Sequence, residues 1–225
     1  MHFGIKRKLN KIFRKVLGDT IIDEKRWAKR FRSDQSELIR DYYAEDRLYL
    51  LEKIKSDGFN SALEVGSKEG RNLRMLAKSF PDVRMAGIDI SPEAVKIGNG
   101  LLQREGLANV ALFEGKADRL DFDDNSIDLV FVFSVLIYID PQKINKVLSE
   151  MLRVARKRIL ILEWHDPELS KGKFTNHWIY NYEKLLESFN DEIESLEITK
   201  ISADEFVDVN WKKYGYYVEI RLKDV

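Results

Sequence analysis

The sequence predicts a doubly wound α/β fold: a mostly parallel, seven-stranded sheet with helices on both faces and further helices at the N-terminus. Three observations carry this expectation. From residue 61 onward, short apolar runs alternate with helix-length stretches. The run Ile127–Phe133 is apolar at nearly every position, the composition of a strand covered on both faces. Glycine and capping residues stand where one pattern gives way to the next, as at Gly66, Ser91-Pro92 and Gly106.

The elements follow in order. Residues 1–18 read as an amphipathic helix, with Ile5, Leu9, Ile12, Phe13, Val16 and Leu17 at helical spacing and Gly18 as its stop. Lys6, Arg7, Lys8, Lys11, Arg14 and Lys15 fill much of the other face. Residues 21–31 and 36–57 are helical in pattern, the second ending at Asp57-Gly58. Ser61–Val65 is a strand running into Gly66, and Gly70–Ser79 is a helix. The strand Arg84–Asp89 leads to Ser91 as N-cap and Pro92 at the first helical turn, with Gly106 ending that helix. Strands follow at Val110–Phe113 and Ile127–Phe133, a helix at Gln142–Ala155, and a strand at Arg158–Glu163. A helix is expected over Asn176–Ser188, and two strands over Glu194–Ser202 and Gly215–Leu222.

Composition bounds the partners. The 225 residues carry 38 basic and 38 acidic side chains, a balance that argues against a general polyanion binder. The distribution is uneven: residues 1–32 hold eleven Lys/Arg against three Asp/Glu, so a basic arm precedes an acidic body. That arm could lie on an anionic membrane surface, cap a cleft, or pack on the body as an ordinary solvated helix. The absence of cysteine removes disulfides, thiolate metal sites and cysteine nucleophiles. The longest apolar stretch, Leu129–Ile139, contains Ser134 and is too short to span a bilayer. A cytoplasmic chain is expected, with peripheral membrane contact through residues 1–18 left open.

Right-handed crossovers place all strand-to-helix loops on one sheet edge, and ligands bind there, where the strand order reverses. The first such loop is Glu64-Val65-Gly66-Ser67-Lys68-Glu69-Gly70. Its glycines let the backbone approach a ligand, and the helix behind them offers free N–H groups. Asp89 ends the next strand, where a carboxylate can accept from both hydroxyls of a ribose. The third loop is Glu114-Gly115-Lys116-Ala117-Asp118, followed by Asp124-Asn125-Ser126-Ile127-Asp128.

Taken together, these loops resemble the class I S-adenosylmethionine-dependent methyltransferases. Glu64-x-Gly66-x-x-x-Gly70 is similar to their first motif, Gly87-Ile88-Asp89-Ile90-Ser91 to the second, and Gly115-Lys116-Ala117 through Asp128-Leu129-Val130 to the third and fourth. The likeness covers about residues 58–165 and divides the chain into an N-terminal helical segment, 1–57, and a methyltransferase domain, 58–225. It implies S-adenosylmethionine as cofactor. Gly66 and Gly70 would line the methionine moiety, with Glu64 and Ser67 in the same cofactor-binding turn, Asp89 would hold the ribose, Ile90 would flank the adenine, and Lys116, Ala117 and Asp118 would meet the adenine edge, with Ser134 nearby after the fourth strand.

Two departures stand out. Lys68 replaces the middle glycine of the first motif; a left-handed residue there would cost lysine about 1 kcal/mol or more, so a different local shape is expected. Lys116 replaces the usual acidic residue and cannot accept from an adenine amino group, a task that Asp118 could take over or that could be left to water.

The segment Phe133-Ser134-Val135-Leu136-Ile137-Tyr138 lacks the polar-Pro-Pro-aromatic element that seats a flipped base, so no nucleic acid partner is expected and a small-molecule acceptor is. Gly70-Arg71-Asn72-Leu73, Val135–Ile139, Arg158–Trp164, His177-Trp178 and Tyr182-Glu183-Lys184 resemble methyltransferases of surface-sugar biosynthesis. That likeness implies a sugar or nucleotide-sugar acceptor and O-methylation. His165, His177 and Tyr138 are the candidate catalytic residues, since an O-methylation needs a group to take up the hydroxyl proton. Each has a plainer reading: a structural hydrogen bond for His165, a helix cap for His177, a core aromatic for Tyr138. A nicotinamide-binding Gly-x-Gly-x-x-Gly is disfavoured by Lys68 and Arg71. A non-catalytic binding protein or scaffold on the same fold is the alternative from another class, and the sequence leaves the oligomeric state open.

Overall fold

The computed structural model describes residues 45–55, 58–169, 172–174, 177–202 and 209–224. The basic segment 1–18 and the helix expected over 21–31 lie outside them. Of the helix expected over 36–57, the described part is α1, Glu45–Lys55.

The strands are β1 Ser61–Val65, β2 Arg84–Asp89, β3 Val110–Glu114, β4 Ile127–Phe133, β5 Ala155–Trp164, β6 Lys173–Phe174, β7 Trp178–Ile179, β8 Ile193–Lys200 and β9 Gly215–Leu222. The remaining helices are α2 Arg71–Ser79, α3 Pro92–Glu105, α4 Ile144–Val154, α5 Tyr182–Leu186 and α6 Val209–Tyr214, with 3-10 turns at Leu136–Tyr138 and Glu187–Phe189. Seven strands form one sheet in the order β3-β2-β1-β4-β5-β9-β8. The first five run parallel, while β9 lies antiparallel to β5 and β8 antiparallel to β9. The mostly parallel, seven-stranded sheet expected from the sequence is therefore present.

Strand alternation builds the two cores. Leu129 and Phe131 of β4 join one cluster with Leu50, Ile54, Leu73 and Leu76, on the face covered by α1 and α2. Val130 and Val132 join the other with Val147, Leu148 and Met151 of α4. Both faces of β4 are thus buried, as the apolar run required. Around α3 the local signals work as read: the Ser91 hydroxyl accepts from Ala94 N at 3.3 Å, Pro92 opens the helix, and Gly106 closes it at φ 68°.

The C-terminal third differs from expectation. No single helix runs over 176–188. The Trp178–Tyr180 stretch is extended, β6 and β7 pair as a small antiparallel ribbon, and α5 starts only at Tyr182. Two residues explain the shift. Asn181 Oδ1 accepts from Lys184 N at 3.2 Å and caps α5, and Tyr180 is fixed by its hydroxyl donating to Ile139 O at 2.6 Å. His177 therefore lies in the bend before β7 and does not open a helix.

The strand order reverses between β1 and β4. The loops after β1, β2, β3, β4 and β5 share one edge, joined by the start of β9, where Gly215 pairs with Trp164.

Candidate active site

Backbone hydrogen bonds draw the first three loops together. Gly66 N and Ser67 N both donate to Ile88 O at 2.8 Å, and Gly115 N donates to Asp89 O at 3.0 Å. The turn after β1 is left-handed at Gly66 (φ 77°), Lys68 (φ 51°) and Gly70 (φ 71°). Lys68 thus keeps the conformation that the sequence reading expected it to avoid. Its N–H donates to Asp89 Oδ2 at 2.8 Å, and Gly70 N closes the turn on Ser67 O at 2.8 Å. One hydrogen bond to a charged acceptor contributes roughly 1.5–3 kcal/mol, enough to offset about 1–2 kcal/mol of left-handed strain.

Asp89 is the hinge of this arrangement. Its Oδ2 accepts from Lys68 N and its Oδ1 from Ser91 N, each at 2.8 Å. Burial raises its pKa, while those two backbone donors oppose the rise. A carboxylate oxygen has room for a second donor, so each can still accept a ribose hydroxyl. Ile90, next along, is half-buried.

The other cofactor candidates divide. Glu64 is buried, and its Oε1 accepts from Asn72 Nδ2 at 2.6 Å. The Ser67 hydroxyl lies against Gly87, at 2.6 Å from where a Cβ there would stand, and has no hydrogen-bond partner among the described residues. It turns under the loop towards β2, leaving the Ser67 backbone as the part that follows the ligand edge. Lys116 is exposed and Ala117 half-buried. Asp118 is engaged by Lys143 Nζ at 2.8 Å. Ser134 is left-handed at φ 59°, and its N–H donates to Leu162 O at 3.1 Å.

On the β4 and β5 side, rings gather. His177 meets Tyr138 at 4.9 Å and Trp164 at 5.2 Å between centroids, both edge-on. Trp164 is 5% exposed, and its Nε1–H has no hydrogen-bond partner among the described residues. His165, one residue on, points the other way. It is 3% exposed, its ring lies against Tyr182 and Tyr216, and its Nδ1 accepts from Tyr182 N at 3.1 Å. Burial lowers its pKa and favours the neutral imidazole. Among the described residues no group of His, Asp and Glu side chains is placed to hold a metal ion, and no helix is long and apolar enough to cross a membrane.

Comparison with known proteins finds likenesses in the central segment. Residues 62–158 match the methyltransferase domain family. Ajmaline N-methyltransferase of Rauvolfia serpentina is 34% identical over 114 residues, 49% of this chain and 38% of that enzyme. The central segment is thus similar to methyltransferase domains, and the fold is shared with a SAM-dependent methyltransferase. The chain spans well under half the length of that curated relative. Solved structures share its fold: a SAM-dependent methyltransferase from Aquifex aeolicus aligns with a TM-score of 0.59 at 21% identity, covering 86% of this chain and all of the other. The cyclase SpnF aligns with a TM-score of 0.62 at 22% identity, covering 80% and 81%.

At this edge of the sheet, Gly66, Asp89 and the Gly115–Ala117 turn converge, and Tyr138 comes together with His177. His165 stands apart from that pair among Tyr182 and Tyr216. Sequence reasoning passed over Glu163, a fully buried carboxyl at the end of β5. Its Oε1 accepts from Val135 N at 2.5 Å and Leu136 N at 2.8 Å, and its Oε2 from Ile137 N at 3.4 Å. Burial raises its pKa to about 8 against the pull of those donors. The available signal was an acidic residue ending an otherwise apolar strand, Ile159-Leu160-Ile161-Leu162-Glu163.

Proposed function

We propose that the chain transfers a methyl group from S-adenosylmethionine to a small-molecule acceptor, a sugar or nucleotide-sugar hydroxyl being the favoured class. The observation that carries the cofactor half is Asp89: one carboxylate braces the turn after β1 through Lys68 N and the start of α3 through Ser91 N, and keeps accepting capacity for a ribose. The left-handed turn at 66–70 offers bare α-carbons and a helix N-terminus beside it.

S-adenosylmethionine supplies a methyl on a sulfonium, so the leaving thioether is neutral and the protein's task is alignment and exclusion of water. Acceptor positioning falls to the Tyr138–His177 pair. His177 would take up the proton of an attacking hydroxyl, with Tyr138 against that ring to hold it in place. The buried Trp164 N–H beside His177, without a hydrogen-bond partner among the described residues, supports a polar acceptor, because buried donors find partners. His165, its Nδ1 already accepting, has a structural part. A nitrogen acceptor is the second reading, favoured by the likeness to an N-methyltransferase; it needs the same alignment.

The test is calorimetric titration with S-adenosylhomocysteine, then a screen of nucleotide sugars and amines with methyl-labelled cofactor. Micromolar binding that Asp89→Ala weakens by about tenfold or more, roughly one lost charged hydrogen bond, is expected. A wild-type chain that binds no S-adenosylhomocysteine would leave the scaffold alternative standing. Labelled amines with no labelled sugar would turn the acceptor class to nitrogen.

A further inference from the structure

The proton-transfer scheme leaves Glu163 without a task. It is fully buried, yet its carboxyl spends both oxygens on three successive backbone N–H groups, those of Val135, Leu136 and Ile137. These residues follow the left-handed Ser134 and open the Leu136–Tyr138 turn, whose first N–H groups have no partner within the turn itself. A carboxyl is a costly way to cap a turn in an apolar interior, where burial disfavours its charge.

What the cap holds explains the choice. At one end of the capped segment, the Val135 methyls lie on Gly66, 2.5 Å from where a Cβ there would stand. At the other end, Tyr138 meets His177. One side chain on β5 therefore sets the segment that touches the turn after β1 and the acceptor-side pair. We propose that Glu163 is a positioning residue of the methyltransferase site: by holding the three N–H groups it fixes Val135 against Gly66 and Tyr138 against His177. This rests on the reading of residues 64–70 as the cofactor turn.

A merely structural role would move stability and leave ligand affinity untouched in the folded protein. The full chain is therefore compared as wild type, Glu163→Leu, Glu163→Gln and Val135→Ala. S-adenosylhomocysteine affinity is measured by calorimetry well below each melting temperature, and amide exchange is followed at residues 135–137. Glu163→Leu removes all three acceptors. It is expected to speed exchange at 135–137 and weaken S-adenosylhomocysteine binding by about tenfold, the scale of one unmade hydrogen bond. Glu163→Gln keeps a carbonyl for Val135 and Leu136 and should stay within about threefold of wild type, as one neutral acceptor replaces another. Val135→Ala loses the contact on Gly66, and its effect should not add to that of Glu163→Leu, because coupled residues share one interaction.

Wild-type affinity in a folded Glu163→Leu, or additivity with Val135→Ala, overturns the proposal. If Glu163→Leu does not fold, Val135→Ala decides: weaker binding supports the proposal, unchanged binding overturns it. A wild type that fails to bind S-adenosylhomocysteine removes the cofactor reading, and this proposal with it.

Discussion

Replacing Gly66 by alanine tests the turn after β1 at its tightest point. Gly66 has φ 77°, a conformation that costs a side-chain-bearing residue about 1–2 kcal/mol. The added Cβ would stand 2.5 Å and 2.8 Å from the two Val135 methyls, contacts that require Val135 to move. Val135 is not free to swing away, because its N–H is bound by Glu163 at 2.5 Å. Overpacking of this kind costs about 1–3 kcal/mol. The two terms together predict a loss of roughly 2–5 kcal/mol, which for a domain of this size lowers the melting temperature by about 4–20 °C. Gly100→Ala in α3 is the internal control: nothing lies within 4 Å of its added Cβ, and alanine favours the helix by about 1 kcal/mol. Thermal melting of both variants by circular dichroism reads the difference directly. A Gly66→Ala melting point within a degree or two of wild type would refute the reasoning, since neither the left-handed turn nor the Val135 contact could then be constraining.

Three further outcomes follow from the same geometry. Lys68→Gly relieves left-handed strain of about 1–2 kcal/mol at a cost of about 0.5–1 kcal/mol in unfolded-chain entropy, so a slightly raised melting temperature is expected; a drop of several degrees would show that the lysine side chain, not its backbone, holds the turn. The Glu163 pKa is raised on folding, so its contribution to stability is fully present below the unfolded value near 4.5 and fades as pH rises through about 8. Denaturant titrations across that window should therefore show a pH slope that Glu163→Gln flattens, with the neighbouring Tyr180 and Tyr182 staying neutral throughout because burial raises both. His165→Ala strips the acceptor from Tyr182 N and should cost about 2 kcal/mol or more of stability, whereas His177→Ala should lower turnover on the identified acceptor with little change in melting; the reverse pattern would exchange their roles.

The half of the site built from backbone was the legible half. Gly66, Asp89 and Gly115 stand at strand ends that hydrophobic patterning locates closely, as β1, β2 and β4 show, and Gly70 stands at the start of α2. Their work is conformational or is done by one short carboxylate, so residue type and position suffice. Lys68 was misjudged because a propensity rule met a tertiary hydrogen bond from its own N–H to Asp89, invisible in sequence. The region around His177 was misjudged for another reason. Trp178-Ile179-Tyr180 has no polar alternation to separate strand from helix, and the deciding facts are the Tyr180 hydroxyl on Ile139 O and the cap at Asn181. Adjacent residues His165 and Trp164 look equivalent in sequence, yet strand alternation sends one into the Tyr182–Tyr216 setting and the other to His177.

This division bears on how such a domain acquires a reaction. A cyclase and a methyltransferase both align with this chain over at least 80% of its length, so the sheet and its order do not choose the chemistry. The choice must lie outside the seven-stranded sheet, among pieces such as the Leu136–Tyr138 turn and the β6–β7 ribbon. Neither belongs to the ladder of the seven-stranded sheet, and side chains tie them to it instead. Glu163 holds the first of them by three hydrogen bonds, and Tyr180 ties the ribbon side to Ile139 at the end of the same turn. If Tyr138 and His177 place the acceptor as proposed, a change in acceptor can be made by altering Tyr138, Trp164 or His177 while Glu163 and Tyr180 are kept, because the frame is set by the latter pair and only lined by the former. Exchanging Glu163 as well should loosen both the turn after β4 and its hold on Gly66, so redesign of the acceptor side and integrity of the cofactor side separate at that one residue.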